Sequence, residues 1–316
     1  MRKEEKIKML LQAKGNSEKP KDFEEYWDEA IAEMRAVDPC VKLVSAEFAT
    51  PFADCFHLYF TGVGGSRIHA KYVRPKQGEQ PHPAVLQFHG YTANSGDWIP
   101  MLSYAAAGMS YFAMDCRGQG GLSEELGGAK GPTVNGHVIR GIKDEKEKLL
   151  YRSMYLDTAL LAQIAASFPE VDENRIGAIG GSQGGALAIA CAALSNIKRI
   201  APIYPFLCDI RYAYETSGNT SYNEIVEYFR RHDPEGDTTD EVFEKLSYID
   251  LVHLAPRVKA EVFMQTALKD NICLPETQFA AYNAMPGKKQ ARFYPEYYHE
   301  WIQSADDKVY QFMMGL

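Results

Sequence analysis

The chain has little that would take it to nucleic acid or lipid. Lysine and arginine number 34 against 42 aspartates and glutamates, for a net charge of −8. Phosphate recognition needs clustered cations, so nucleic acid is not expected as a partner. No run of about 18 apolar residues occurs, so no membrane-spanning helix is expected. The opening "MRKEEKIKML" is charged at once, lacks the apolar core of a secretory signal and reads as a solvated helix face. A cytoplasmic location is the expectation. Cysteine is sparse: Cys40, Cys55, Cys116, Cys191, Cys208 and Cys273 form no C-x-x-C pair. That scatter argues against a zinc site or a disulfide framework and for reduced, mostly buried thiols. No H-E-x-x-H is present either, and neither metal nor other cofactor is expected.

Apolar segments carry the organisation. "FEEYWDEAIAEM" (23–34) has helical spacing. Residues 41–75 alternate, and "VKLVSAEF", "FHLYFTGV" and "IHAKYVRP" read as strands, with a turn at "GVGGS". An exposed loop is expected over 74–83 and a glycine-rich loop over 116–141. From residue 84 onward strands alternate with helices. "AVLQFHGY", "MSYFAMD", "RIGAIG", "IKRIAPIYPF", "AEVFMQTA" and "QARFYPEY" read as strands. "MLSYAAAG", "EKLLYRSMYLDTALLAQIAASF", "GALAIACAAL", "PETQFAAYNAM" and "SADDKVYQFMMGL" read as helices. This rhythm implies a mainly parallel sheet covered on both faces, with a more antiparallel start. Residues 208–255 interrupt it with polar, aromatic and helical sequence, too long for an ordinary connection. They are expected to form a cap or insertion beside the site.

"GGSQGG" (180–185) sits between an apolar strand and an apolar helix and contains G-x-S-x-G. In a nucleophile elbow the chain turns sharply there, and the glycines let strand and helix approach. The competing reading is a serine N-cap on an ordinary turn. A serine nucleophile needs a base and an orienting acid, in the order Ser, Asp or Glu, His, each on a loop after a later strand. Asp270 follows "AEVFMQTA" and His299 follows "QARFYPEY". Asp306 and Asp307 are rival acids, but they fall in the last helix. An oxyanion needs fixed N–H donors. The backbone N–H of Gln183, after the serine, and that of Tyr91, after "AVLQFHG", are the candidates.

"RGQGG" (117–121), "GGSQGG" (180–185), "KDNICLP" (269–275) and "YHE" (298–300) together resemble the acetyl xylan esterase and cephalosporin-C deacetylase family, carbohydrate esterase family seven. "KPKDFEEYWDEAIAEM", "YPFLCDIRYAYE" and the block 137–185 extend the likeness over nearly the whole chain. The resemblance implies an α/β-hydrolase fold with a mainly parallel central sheet and helices on both faces. It implies Ser182 as nucleophile, His299 as base, Asp270 as orienting acid, and Tyr91 and Gln183 as oxyanion donors. Arg117 and Gln119 look structural or site-supporting. It also implies a homohexamer. Departures flank the triad: Ala267 and Leu274 stand where the family often has glycine and proline, and Tyr298 where it often has glycine or asparagine.

One domain over 1–316 is therefore expected, with an N-terminal helical extension (1–40) and the 208–255 insertion. The expected activity is removal of acetyl groups from acetylated carbohydrates and from cephalosporin C, without cofactor. A broad short-chain carboxylesterase or serine peptidase on the same fold is the enzymatic alternative. A non-catalytic scaffold is the alternative from another class.

Overall fold

The computed structural model describes residues 2–78, 80–126, 128–129, 131–217 and 221–316. Parts of three expected segments lie outside these: residue 79 of the 74–83 loop, 127 and 130 of the 116–141 loop, and 218–220 of the insertion. The chain begins with two helices, α1 (Lys3–Leu10) and α2 (Phe23–Arg35). Strands β1 (Lys42–Ser45), β2 (Ala53–Thr61), β3 (Arg67–Pro75) and β4 (His82–Phe88) follow, then α3 (Leu102–Ala106), β5 (Ser110–Met114), α4 (Leu150–Ser167), β6 (Val171–Gly181), α5 (Gln183–Leu194) and β7 (Arg199–Ile203). The insertion carries α6 (Ile210–Ser217), α7 (Asn223–His232), α8 (Thr239–Ser247) and α9 (Leu251–Leu254). β8 (Glu261–Ala267), α10 (Pro275–Ala284), β9 (Lys289–Tyr294) and α11 (Ala305–Met313) complete the order.

The nine strands form one sheet in the order β1-β2-β3-β5-β4-β6-β7-β8-β9. The pairs β1–β2, β2–β3 and β3–β5 are antiparallel, and the remainder are parallel. Burial follows that division. β5 is buried at every position, as a strand covered on both faces must be, whereas β2 largely alternates and edge strand β1 is exposed throughout. One face packs on α3 and α11 through Met101, Tyr104, Val309 and Met313. The other carries α4 and the wholly buried α5. With helices on both faces of a mainly parallel sheet, this is the α/β-hydrolase fold.

The strand order reverses at β4, which lies between β5 and β6. Loops leaving the C-terminal ends of β4 and β6 therefore meet at a crevice, the usual place for a site in such sheets. The turn after β6 brings backbone onto backbone. A Cβ on Gly184 would lie 2.0 Å from the Phe88 carbonyl oxygen at the end of β4, and one on Gly180 would lie 2.4 Å from the Gly184 carbonyl carbon. Only glycine fits at either position.

Several boundaries differ from the sequence pattern. β1 and β7 are shorter than their apolar runs, and β6 is longer. Past β7 the chain leaves strand geometry at once, because Tyr204, Leu207 and Asp209 have positive φ. The opening helix is not simply solvated. Leu10 is buried, Lys6 Nζ donates to the Leu268 carbonyl at 2.6 Å, and Asn283 Nδ2 donates to the Leu10 and Ala13 carbonyls. In α2, Trp27 is fully buried and donates through Nε1 to the Tyr248 carbonyl of the insertion. Five cysteines are buried, Cys40 is exposed, and all six are free. No helix among the described residues is long and apolar enough to cross a membrane.

Gly184→Ala tests the close approach. Its Cβ meets main chain, which cannot swing aside, so a loss of about 2 kcal/mol or more is expected in urea unfolding. A variant as stable as the parent would mean that β4 and α5 are not held this tightly.

Candidate active site

Ser182 stands between β6 and α5 with φ 56° and ψ −120°, a backbone region that L-residues rarely occupy. Its side chain makes no cap hydrogen bond to α5, which removes the N-cap reading. The hydroxyl turns instead to His299 and donates to Nε2 at 3.0 Å. On the far side of that ring, Nδ1–H donates to Asp270 Oδ2 at 2.9 Å. This tautomer leaves Nε2 free to accept the serine proton.

The Asp270 side chain is fully buried, while that of His299 is 19% exposed. Asp270 Oδ1 accepts the backbone N–H groups of Ile272 and Cys273, both at 2.9 Å. Gln278, on α10, donates to the Cys273 carbonyl at 2.6 Å and lies 3.5 Å from Asp270 Oδ2. The loop after β8 therefore fixes the carboxylate before the imidazole arrives. Asp306 and Asp307 lie exposed in the first turn of α11, away from this arrangement.

Gln183 is the first residue of α5, so its N–H has no partner within the helix. The N–H groups of Tyr91 and Gln183 have no protein acceptor among the described residues. Both stand at the junction of the β4 loop and the elbow, and the positive end of α5 adds to the field there.

A buried amide cluster locks these two loops together. Gln183 Oε1 accepts from Tyr151 at 2.7 Å and from Gln119 Nε2 at 2.9 Å. Gln183 Nε2 donates to Gln119 Oε1 at 3.1 Å and to the His89 carbonyl at 3.3 Å. Gln119 Oε1 also accepts the Thr92 N–H at 2.8 Å, next to Tyr91. Arg117 is buried in a bidentate pair with Asp157, at 2.5 and 2.7 Å, and donates to the Val63 carbonyl. Both RGQ side chains thus support the loops from behind. His89 does likewise: its Nε2 accepts the Cys116 N–H at 2.9 Å, and burial lowers its pKa, so it stays neutral.

The insertion supplies a residue with no local mark of a role in its sequence. Glu224 of α7 is 4% exposed. It accepts the Tyr91 hydroxyl at 2.6 Å and the N–H groups of Val138 and Ile139 at 2.8 and 3.2 Å. Burial and the Glu224 charge push the Tyr91 phenol well up, so it remains a donor. Tyr91 packs against Phe206, Phe206 stacks on Tyr222 at 4.8 Å, and the Tyr204 ring lies 4.6 Å from His299. A glutamate on an amphipathic helix reads as solvent-facing, and only the tertiary contact reveals otherwise.

The acetyl xylan esterase (AXE1) family profile matches residues 5–316. The chain belongs to this family. It is 48% identical to acetyl xylan esterase 1 from Thermoanaerobacterium sp. JW/SL YS485, with a TM-score of 0.94 and 98% of each chain covered. It is 34% identical to the acetyl xylan esterase from Paenibacillus sp. R4, with a TM-score of 0.91, covering 98% of this chain and 99% of that one. Acetyl esterase Axe7A of Xylanibacter ruminicola is 24% identical over an alignment of 300 positions that covers 90% of this chain. The match spans only 64% of that relative's length.

Proposed function

We propose that this protein is a serine esterase, a carboxylic ester hydrolase that removes acetyl groups from acetylated carbohydrates, acetylated xylo-oligosaccharides above all, through an acetyl-enzyme on Ser182. The observation that carries the reading is the unbroken hydrogen-bonded chain Ser182–His299–Asp270 at the start of a buried helix, in a member of the acetyl xylan esterase family. Ser182 Oγ attacks the ester carbonyl as His299 Nε2 takes its proton. Asp270 holds the ring orientation and stabilises the imidazolium that forms. The oxyanion receives the N–H groups of Tyr91 and Gln183. The C–O bond to the alcohol then breaks, and His299 returns the proton to the departing oxygen. Water, deprotonated by His299, attacks the acetyl-enzyme, and acetate leaves with Ser182 reprotonated. Cephalosporin C is a second candidate substrate because its acyl half is the same. The whole chain acts as one catalytic domain, with the N-terminal helices and the insertion as its accessories.

Ser182→Ala is expected to fold and to lose activity on acetyl esters by about 10⁶-fold, with His299→Ala close behind. Asp270→Asn is expected to lose on the order of 10⁴-fold, since the amide favours the wrong imidazole tautomer. A silent Asp270→Asn beside a crippled Asp306→Asn or Asp307→Asn would refute the assignment of the acid.

Acyl length tests the substrate class. An open apolar groove would favour each added methylene by about 0.8 kcal/mol. The aromatic cluster of Tyr91, Phe206 and the insertion's Tyr222 forms a closed wall instead. For acetyl, butyryl and octanoyl esters of one alcohol, kcat/KM is expected to fall by about tenfold or more at the first step. A flat or rising series would make the protein a broad carboxylesterase. Acetate release without cleavage of peptide amides separates it from a serine peptidase.

The family resemblance also supports a homohexamer. Light scattering is expected to give roughly six times the chain mass of 35.4 kDa. A monomer in dilute solution would overturn this.

A further inference from the structure

The Tyr91 N–H belongs to the peptide plane that joins Gly90 to Tyr91, so whatever fixes that plane aims the donor. Two anchors act on it. The first grips the carbonyl end. The Cys116 N–H donates to His89 Nε2, which leaves the ring proton on Nδ1, and Nδ1–H donates to the Gly90 carbonyl at 2.7 Å. The Ala93 N–H donates to the same oxygen at 3.1 Å. In a trans peptide the N–H points away from the C=O, so the Tyr91 N–H faces away from this grip. Bonds to the oxygen fix its place and still let the plane tilt about it. Gly90 resists such a tilt little, because it has no side chain and a Cβ there would meet nothing within 4 Å.

The second anchor is the Tyr91 side chain. Its hydroxyl donates to Glu224 Oε1 at 2.6 Å and accepts the His137 N–H at 3.2 Å. The ring stands edge-on to that of His137 at 5.3 Å. Glu224 Oε2 accepts the N–H groups of Val138 and Ile139. The carboxylate is therefore held by the 116–141 loop on one oxygen and holds the phenol with the other. Only two torsions separate a tyrosine hydroxyl from its backbone, so a fixed tip limits how far the main chain can turn.

We infer that Glu224 is a positioning residue of the oxyanion hole, which aims the Tyr91 N–H by holding the Tyr91 hydroxyl. This deepens the esterase reading above and rests on it. The insertion then takes part in the rate, beyond enclosing the acetyl group. Negative charge develops on the carbonyl oxygen in acylation and again in deacylation, so a mis-aimed donor slows both steps. The uncharged ester gains less from the donor, so its binding changes little.

Tyr91→Phe and Glu224→Met test this, singly and together. Loss of one oxyanion donor costs about 10²- to 10³-fold, and a mis-aimed donor costs less. Each single variant is expected to lower kcat for an acetyl ester about tenfold, with KM within about twofold of the parent. Methylboronic acid, whose adduct with Ser182 is tetrahedral like the intermediate, should bind about tenfold more weakly to each. The losses should not add, because both substitutions cut one tether, so the double variant should be about as slow as Tyr91→Phe. If Glu224→Met does not fold, Tyr91→Phe decides alone, since it keeps the ring and its packing. A folded Tyr91→Phe with unchanged kcat and boronate affinity overturns the inference while the esterase reading stands. So does a change confined to KM, which would make the contact a packing contact only. A parent enzyme that releases acetate from no ester overturns both.

Discussion

Main chain pressed against main chain is the constraint from which the site is built. The start of α5 approaches the end of β4 so closely that no side-chain carbon fits at Gly184. With that approach set, the link from β6 to α5 has no room for an ordinary loop. It must reverse within one residue, and Ser182 takes up the reversal with a positive φ. The same turn leaves the first N–H of α5 without a helical acceptor and points the helix's positive end at the crevice. The hydroxyl, the free donor and the field all follow from one contact.

The surrounding structure keeps that contact from relaxing. Gln119 and Gln183 pair amide to amide, and through Thr92 they join the loop after β4 to the elbow. Glu224 adds the insertion to the same assembly by way of the Tyr91 hydroxyl. On the other side, Lys6 of α1 binds the carbonyl of Leu268, two residues before Asp270. Segments far apart in sequence are thereby coupled to three short loops. Hydrogen bonds of this kind cost far more to break singly than they contribute on average, because each leaves a buried partner unpaired.

Much of this was legible in the residues. Ser182, Asp270 and His299 each follow an apolar run, and parallel strands end together, so their convergence could be read before any coordinate. The mainly parallel sheet and its antiparallel beginning were visible as uninterrupted and alternating apolar patterns respectively. What stayed hidden depends on distance in sequence. The run through residue 206 looks like strand, yet the chain bends at Tyr204 because its N–H goes to the Gln265 carbonyl while that of Phe206 goes to the Ser182 carbonyl. The opening helix looks solvated because its charges dominate the pattern, and Leu10 reveals its docking only through α10. Glu224 carries no local sign of burial at all.

The backbone of Ser182 has one more implication, for anyone who would engineer this protein. A side chain at φ 56° and ψ −120° costs on the order of 1–3 kcal/mol, and glycine would not bear that cost. A library selected for heat resistance alone would therefore be drawn toward glycine at position 182, and toward a sturdier chain that has lost its hydroxyl. Stability screens of this protein need turnover measured alongside melting, since a purely thermal criterion would discard a strained residue that carries the hydroxyl.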